Sequence, residues 1–366
     1  MPLHAQLIKD AAYPGYVFAH APRNVYWEVT IACDLQCQHC RALAINQRDP
    51  LELTTDEGKA LLRDIKSMGS MVILTGGDPM KRPDLFELIA YGREIGLPVS
   101  ITPSTTPTLT RSAVEQFKAL GMSAMGVSLD GHDAASHDAF RGVEGTFEHS
   151  MNALSWAGEF QLPVQVNTTV TNQTLGGLPR LYEVLSSRFS PPVKRWSLFM
   201  LVPVGRGENL GMPTAEQIEQ LWGWVYDTAG DAPFHISSVE SPHYRRYWTQ
   251  RKVAEGLPAE QLEKLAMRMG FGARDGNGII FVSHRGEVYP AGFLPYPKLG
   301  NVREQALPSI YRDSPQLHRL RDMDQLVGRC GRCEYRWLCG GSRARAYAAT
   351  GNMMETDPAC AYEPEG

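Results

Sequence analysis

The sequence predicts an α/β protein, a partial (β/α)6 barrel of the TIM-like kind followed by a small cysteine-rich C-terminal domain. Three observations carry this. Strand-like and helix-like segments alternate between about residue 25 and residue 230, glycines close the helical stretches at near-regular intervals, and the cysteines fall into two tight groups.

The candidate strands are Val25 to Thr30, Met71 to Thr75, Val99 to Thr102, Ala124 to Leu129, Val164 to Val170 and Trp196 to Met200, each short and apolar as buried parallel strands are. The first intervening helix has Thr54 and Glu57 in capping-box spacing, an apolar stripe of Leu61, Leu62, Ile65 and Met68, and Gly69 as a stop. Gly96, Gly121 and Gly158 are expected to close the next three helices. Right-handed crossovers then bring all the strand C-termini to one face, where such folds build their sites. After residue 230 the alternation breaks. Residues 231–275 read as a bridging insertion with a helical segment near Glu260 to Met269, and Ile279 to Val282 with Glu287 to Tyr289 read as a hairpin. The expected organisation is an N-terminal extension (1–22), a core barrel (23–230), the insertion (231–275) and a C-terminal domain (276–366).

Composition narrows the function classes. With 36 Lys+Arg against 40 Asp+Glu, the chain offers no broad basic surface, so nucleic acid is not an expected partner. No apolar run approaches the roughly 20 residues that span a bilayer, and the first 22 residues show no charged start followed by an apolar block, so a membrane is not expected and a cytoplasmic location is. The seven cysteines are an odd number with nothing between Cys40 and Cys330. That arrangement points to metal or redox chemistry rather than a disulfide framework.

Cys33, Cys37 and Cys40 form C-x3-C-x2-C directly after the first strand. Three thiolates on one loop leave one iron of a 4Fe-4S cluster open to an outside ligand. The alternative is a zinc site completed by His39 or a distant histidine. This loop, together with Thr75-Gly76-Gly77-Asp78-Pro79 at the end of the second strand, resembles the radical S-adenosylmethionine (SAM) superfamily. The resemblance implies that Cys33, Cys37 and Cys40 hold the SAM-binding cluster. It also implies that SAM is cleaved there to methionine and a 5′-deoxyadenosyl radical, fed by an external one-electron donor such as flavodoxin or ferredoxin. Gly76, Gly77 and Asp78 match the family's Gly-Gly-Glu motif with Asp for Glu, and would receive the methionyl amine. Gly126 to Gly131 and His137 to Gly142 are similar to the peptide- and cofactor-modifying branch. By that likeness Ser128 and Arg141 face the SAM ribose and carboxylate, and Asn167 with the Leu198 to Leu201 backbone rims the adenine. The bland alternatives are a strand end for Ser128 and a surface ion pair for Arg141. Arg206, in Pro203 to Gly207, either contacts substrate or turns the chain.

Cys330, Cys333 and Cys339 read C-x2-C-x5-C, with Cys360 further on. Four thiolates saturate a metal site, and spacing alone fits zinc or a second iron-sulfur cluster equally. The stretch from Gly328 to Tyr347 is similar to the SPASM or twitch extension, which implies one auxiliary 4Fe-4S cluster on these four cysteines, since Ala291 stands where a further cysteine of the full pattern is expected. Tyr289 to Pro295 and the segment after Cys339 look most like enzymes that trim or oxidise tetrapyrrole side chains in haem and d-type haem synthesis, with maturases of ribosomally made peptides and peptide-derived cofactors as near relatives. The resemblance covers roughly residues 22 to 362. It implies hydrogen abstraction from a tetrapyrrole or precursor-peptide substrate, with an electron passed to or from the auxiliary cluster. A non-catalytic electron-transfer or zinc protein is the reading of another class. Arg343, Arg345, His243, Tyr244 and Arg245 are candidate contacts to an anionic substrate, against the alternatives of a solvated charge pair or donors to cluster sulfides for the two arginines of the 343–345 pair and an ordinary interdomain surface for the others.

Overall fold

A computed structural model describes residues 17–268 and 272–364. Most of the expected N-terminal extension, and Met269 at the end of the expected late helix, lie outside the described residues. The chain runs β1 (Asn24–Glu28), α1 (Thr55–Ser67), β2 (Met71–Thr75), α2 (Leu85–Glu94), β3 (Val99–Ile101), α3 (Arg111–Ala119), β4 (Ala124–Ser128), α4 (Ala134–Arg141), α5 (Thr146–Glu159), β5 (Val164–Val170), α6 (Leu178–Arg188) and β6 (Val193–Met200). It continues with α7 (Ala215–Ala229), β7 (His235–Val239), α8 (His243–Ala254), α9 (Ala259–Arg268), β8 (Ile279–Val282), β9 (Glu287–Tyr289) and β10 (Gly300–Asn301), and then short helices that include α10 (Leu307–Asp313), α11 (Pro315–Arg321), α12 (Gly328–Arg332) and α13 (Arg343–Thr350).

One sheet holds all ten strands in the order β10-β9-β8-β1-β2-β3-β4-β5-β6-β7. Strands β1 to β7 pair parallel in sequence order, as a repeated βα unit requires. The hairpin of β8 and β9 is antiparallel, and β8 adds parallel to the free edge of β1, from Asn24 opposite Ile279 to Trp27 opposite Val282. The C-terminal region therefore shares the core's sheet and covers an edge that would otherwise offer unpaired backbone groups.

Local chemistry explains the elements. Thr54 accepts from the Glu57 N–H, and Glu57 accepts in return from the Thr54 N–H at 2.8 Å, so the first turn of α1 is satisfied at both ends. Its buried face packs tightly on β1: a Cβ on Gly58 would stand 2.7 Å from the Trp27 ring. Gly69, Gly96 and Gly121 take positive φ at the ends of α1, α2 and α3. Gly158 does not close its helix. It lies within α5, and the reversal is made by Gln161 at φ 52°.

Residues 231–275 do more than bridge. His235–Val239 forms a seventh parallel strand beside β6, and the aromatic and basic run from His243 is helix α8. An edge strand has one neighbour and needs few apolar residues, so β7 carried little hydrophobic signal. Among the described residues no helix is long and apolar enough to cross a membrane.

Candidate active site

The C-terminal ends of the parallel strands converge on the first cysteine loop. The Cys33 N–H donates to the Ile45 carbonyl at 2.6 Å, which closes the loop on itself. Gly76 and Gly77 lie flush against it: the Gly77 N–H donates to the Thr30 carbonyl at 2.9 Å and the Asp78 N–H to the Ala32 carbonyl at 2.6 Å. A Cβ on either glycine would stand 2.4 Å from a loop carbonyl oxygen, so no other residue fits.

The thiols are buried and bonded. Cys33 Sγ accepts from the Leu35 N–H at 3.4 Å and lies 3.5 Å from Ser104 Oγ, and Cys37 Sγ accepts from Arg141 Nη1 at 3.6 Å. Burial pushes both thiols up, and Ser104 and Arg141 respectively pull them part of the way back. Arg141 is held in turn by the buried Asp130 carboxylate at 2.5 Å, which also accepts from the Thr169 N–H at 2.6 Å. The Asp130 N–H donates to His137 Nδ1 at 3.1 Å; burial, seconded by Arg141, takes the His137 pKa down to about 4 and keeps the ring neutral. His39 stacks on Phe140 at 4.6 Å, and burial lowers its pKa likewise to about 4.

Around this loop lies a cavity of about 1080 Å³, partly open to solvent. Cys33, Cys37, Cys40, Gly76, Gly77, Ser128, Arg141, Asn167 and Arg206 all line it, so residues spread over half the chain are brought together. Asp78 is not among them. Its carboxylate accepts from the Met80 and Ser104 N–H groups at 3.1 and 3.2 Å and from the Thr106 and Thr108 hydroxyls at 3.0 and 3.1 Å. With those four donors it is spent on folding the strand end, and an ammonium has no lone pair left to meet. Arg206 lines the cavity and clamps the loop, its Nε donating to the Cys37 carbonyl at 2.8 Å, while its buried Nη2 has no hydrogen-bond partner among the described residues. Sequence reasoning missed Arg41 and Phe293, which also line the cavity. Arg41 stacks over Phe281 at 4.3 Å and pairs with Glu28 at 3.2 Å. Its place beside Cys40 was the available signal; Phe293 arrives through tertiary contact alone.

The second group forms a separate pocket of about 450 Å³ lined by all four of Cys330, Cys333, Cys339 and Cys360. Burial pushes Cys333 up to about 12 and Cys339 further, so these thiols would ionise only against a metal or a cation. His243 and Arg246 reach this pocket, whereas Tyr244 packs on Trp222 at 5.0 Å and Arg245 donates to the Leu338 carbonyl at 3.4 Å. None of the three candidates His243, Tyr244 and Arg245 lines the first cavity.

Arg343 and Arg345 are both 0% exposed and do not face substrate. Arg345 makes a bidentate pair with Asp357 at 2.8 and 2.9 Å, donates to the Glu240 carbonyl at 2.7 Å and reaches the Leu201 carbonyl at 3.3 Å. Arg343 donates to the Met353 and Glu355 carbonyls and to Cys330 Sγ at 3.7 Å. They are not the solvated charge pair that was one alternative: Arg343 braces the cysteine pocket and Arg345 ties it to the first cavity's rim.

Among the described residues no three His, Cys, Asp or Glu side chains converge closely enough for a single metal ion. The signature of the Radical SAM superfamily matches residues 27–183, and that of SPASM, an iron-sulfur cluster-binding domain, matches residues 274–334. The AdoMet-dependent heme synthase of Nitratidesulfovibrio vulgaris is 38% identical over 359 residues, covering 94% of this chain and 96% of that protein.

The chain belongs to the radical SAM superfamily. It is a radical SAM enzyme with a C-terminal SPASM domain, and its cofactors are SAM with a 4Fe-4S cluster in the core and auxiliary iron-sulfur in the SPASM domain. The pre-heme d1 synthase of Dinoroseobacter shibae is 28% identical over 350 residues, covering 92% of this radical SAM chain and 85% of that protein. Among solved structures, Streptococcus suis SuiB bound to S-adenosylmethionine has the same fold, with a TM-score of 0.73 at 18% identity over 94% of this chain and 78% of that one.

Proposed function

We propose that this enzyme oxidatively decarboxylates a propionate side chain of a tetrapyrrole. The observation that carries the reading is the composition of one cavity, in which three cysteines and the Gly76-Gly77 strand end share walls with aromatic and cationic groups. Phe199 and Phe293, 6.4 Å apart, offer apolar faces to a flat macrocycle, and Arg41 and Arg206 offer guanidinium groups to its carboxylates. The heme synthase relatives, at 36 to 39% identity, support the same substrate class.

In this reading Cys33, Cys37 and Cys40 hold the core cluster. Gly76, Gly77, Ser128, Arg141 and Asn167 line the SAM site, with Asp78 acting behind it. Cys330, Cys333, Cys339 and Cys360 hold one auxiliary cluster; Ala291 is buried where a further ligand of the longer pattern would stand. When bound, the core cluster with SAM supplies a hydrogen-abstracting 5′-deoxyadenosyl radical, and the auxiliary cluster a one-electron couple. The chain's own residues do the rest. Arg141 and the Leu35 N–H neutralise thiolate charge, Arg206 fixes the loop through the Cys37 carbonyl, and the buried walls keep water from a reactive intermediate. Flavodoxin or ferredoxin is the proposed electron donor, and the reduced thiols of the cytoplasm the proposed setting.

The test is anaerobic turnover of reconstituted enzyme with SAM, reductant and a propionate-bearing iron tetrapyrrole. The expected product lacks carbon dioxide and two hydrogens for each side chain processed, with 5′-deoxyadenosine released in step. Turnover of a precursor peptide with no reaction of any tetrapyrrole would replace this substrate class with the peptide one.

A further inference from the structure

The pocket of the four C-terminal cysteines is surrounded by more buried guanidinium charge than the protein neutralises. Two of the arginines there are matched: Arg246 by both Glu219 oxygens at 2.6 Å, and Arg345 by Asp357. Two are not. Arg343 is 0% exposed, and its partners are backbone carbonyls and Cys330 Sγ. Arg274 is 5% exposed; its Nη1 donates to the Gly272 carbonyl at 2.9 Å, while Nε and Nη2 have no hydrogen-bond partner among the described residues. Its side chain packs beside the residue that follows Cys339, since a Cβ on Gly340 would lie 3.4 Å from Arg274 Cδ.

The nearest carboxyls are engaged elsewhere: Asp275 accepts from the Ala344 N–H at 2.9 Å and Glu240 from the Ser342 hydroxyl at 2.5 Å, and among the described residues neither forms an ion pair with Arg274 or Arg343. A guanidinium taken out of water without a carboxylate needs another anion. Four cysteine thiolates around an iron-sulfur core carry net negative charge, and more of it when reduced, so fixed cations at their backs favour the reduced form.

We propose that Arg274 and Arg343 form a cationic collar that raises the reduction potential of the auxiliary cluster and so equips it to accept an electron. This rests on the assignment of Cys330, Cys333, Cys339 and Cys360 as its ligands. At the core site the guanidinium on Cys37, that of Arg141, is matched by Asp130 at 2.5 Å, while Arg206 there has backbone carbonyls and no carboxylate.

The experiment is a redox titration followed by electron paramagnetic resonance on reconstituted holoenzyme, wild type against Arg274→Gln and Arg274→Lys, with iron counted in each. A parallel set in which Cys33, Cys37 and Cys40 are all alanine isolates the auxiliary signal. Arg274→Gln is expected to shift the auxiliary reduction equilibrium at least tenfold toward the oxidised form, about 59 mV for one electron. Arg274→Lys should stay within about threefold of wild type, and the core cluster should not move. A full auxiliary iron count in Arg274→Gln with an unchanged potential overturns the collar. So does loss of auxiliary iron from both variants, which would assign Arg274 to assembly of the site. Wild-type enzyme with no auxiliary iron overturns instead the ligand assignment beneath it.

Discussion

The two cysteine sites use one kind of ligand for opposite ends. In the core, three thiols sit on a single loop beside a cavity of about 1080 Å³, and the strand ends leave room for a nucleoside and a substrate. In the C-terminal domain, four thiols line a smaller pocket together with Tyr335, Tyr362 and Pro364. A site that must bind a small molecule keeps a ligand position free and buys space with strand-end glycines. In the proposed assignment, four thiols at the second site leave no ligand position for a small molecule. The number of thiols separates the two.

The largest expected effect tests that division. Alanine at Cys33, Cys37 and Cys40 together should remove about half of the bound iron and reduce 5′-deoxyadenosine release to background, whereas Cys333→Ala should keep SAM cleavage and stop product formation. Iron assay and chromatography of the nucleoside check both; SAM cleavage that survives without the core cysteines would erase the distinction. Next, Asp357→Ala leaves Arg345 buried and unpaired between the two sites. It should lower stability by about 3–5 kcal/mol in urea titration. Gly77→Ala sets a Cβ 2.4 Å from the Ala32 carbonyl. A cost of about 1–3 kcal/mol is expected, with iron lost from the core site and kept by the auxiliary one.

The smallest effect concerns the seam between the regions. His284, at the tip of the β8–β9 hairpin, bridges Glu28 of β1 at 2.7 Å and Asp49 at 3.2 Å. Burial opposes protonation of His284, but the two carboxylates outweigh it and raise its pKa above the model-compound 6.5. The stabilisation is therefore complete below about 6.5 and is lost as pH rises through the elevated folded value. Thermal or urea unfolding across that window should show the decline, and His284→Gln should flatten it at a cost of roughly 1–2 kcal/mol in acid.

Six strands, the first helix with both of its caps, and the membership of each cysteine group were legible because each is written in a local pattern: a run of apolar residues, a spacing, a stop. Strand β7 was not, since its signal lies in pairing with β6 rather than in its own composition. Gly158 misled for a related reason: a glycine that could end a helix does so only where the chain turns, and here the turn falls at Gln161.

At the site the division is sharper. The sequence by itself determined which chemistry this protein carries, because thiol number and spacing decide how many ligand positions a cluster retains, and strand-end glycines can be counted along a chain. Only the tertiary structure decided which polar residues remain available to a ligand. Arg141 and Asp78 read alike as SAM contacts, yet Arg141 reaches the cavity while Asp78 is occupied by four internal donors. Arg343 and Arg345 read as substrate anchors, yet both are enclosed. A sequence displays donors and acceptors one at a time, but whether each is already satisfied depends on partners brought from far along the chain, and that is settled by folding.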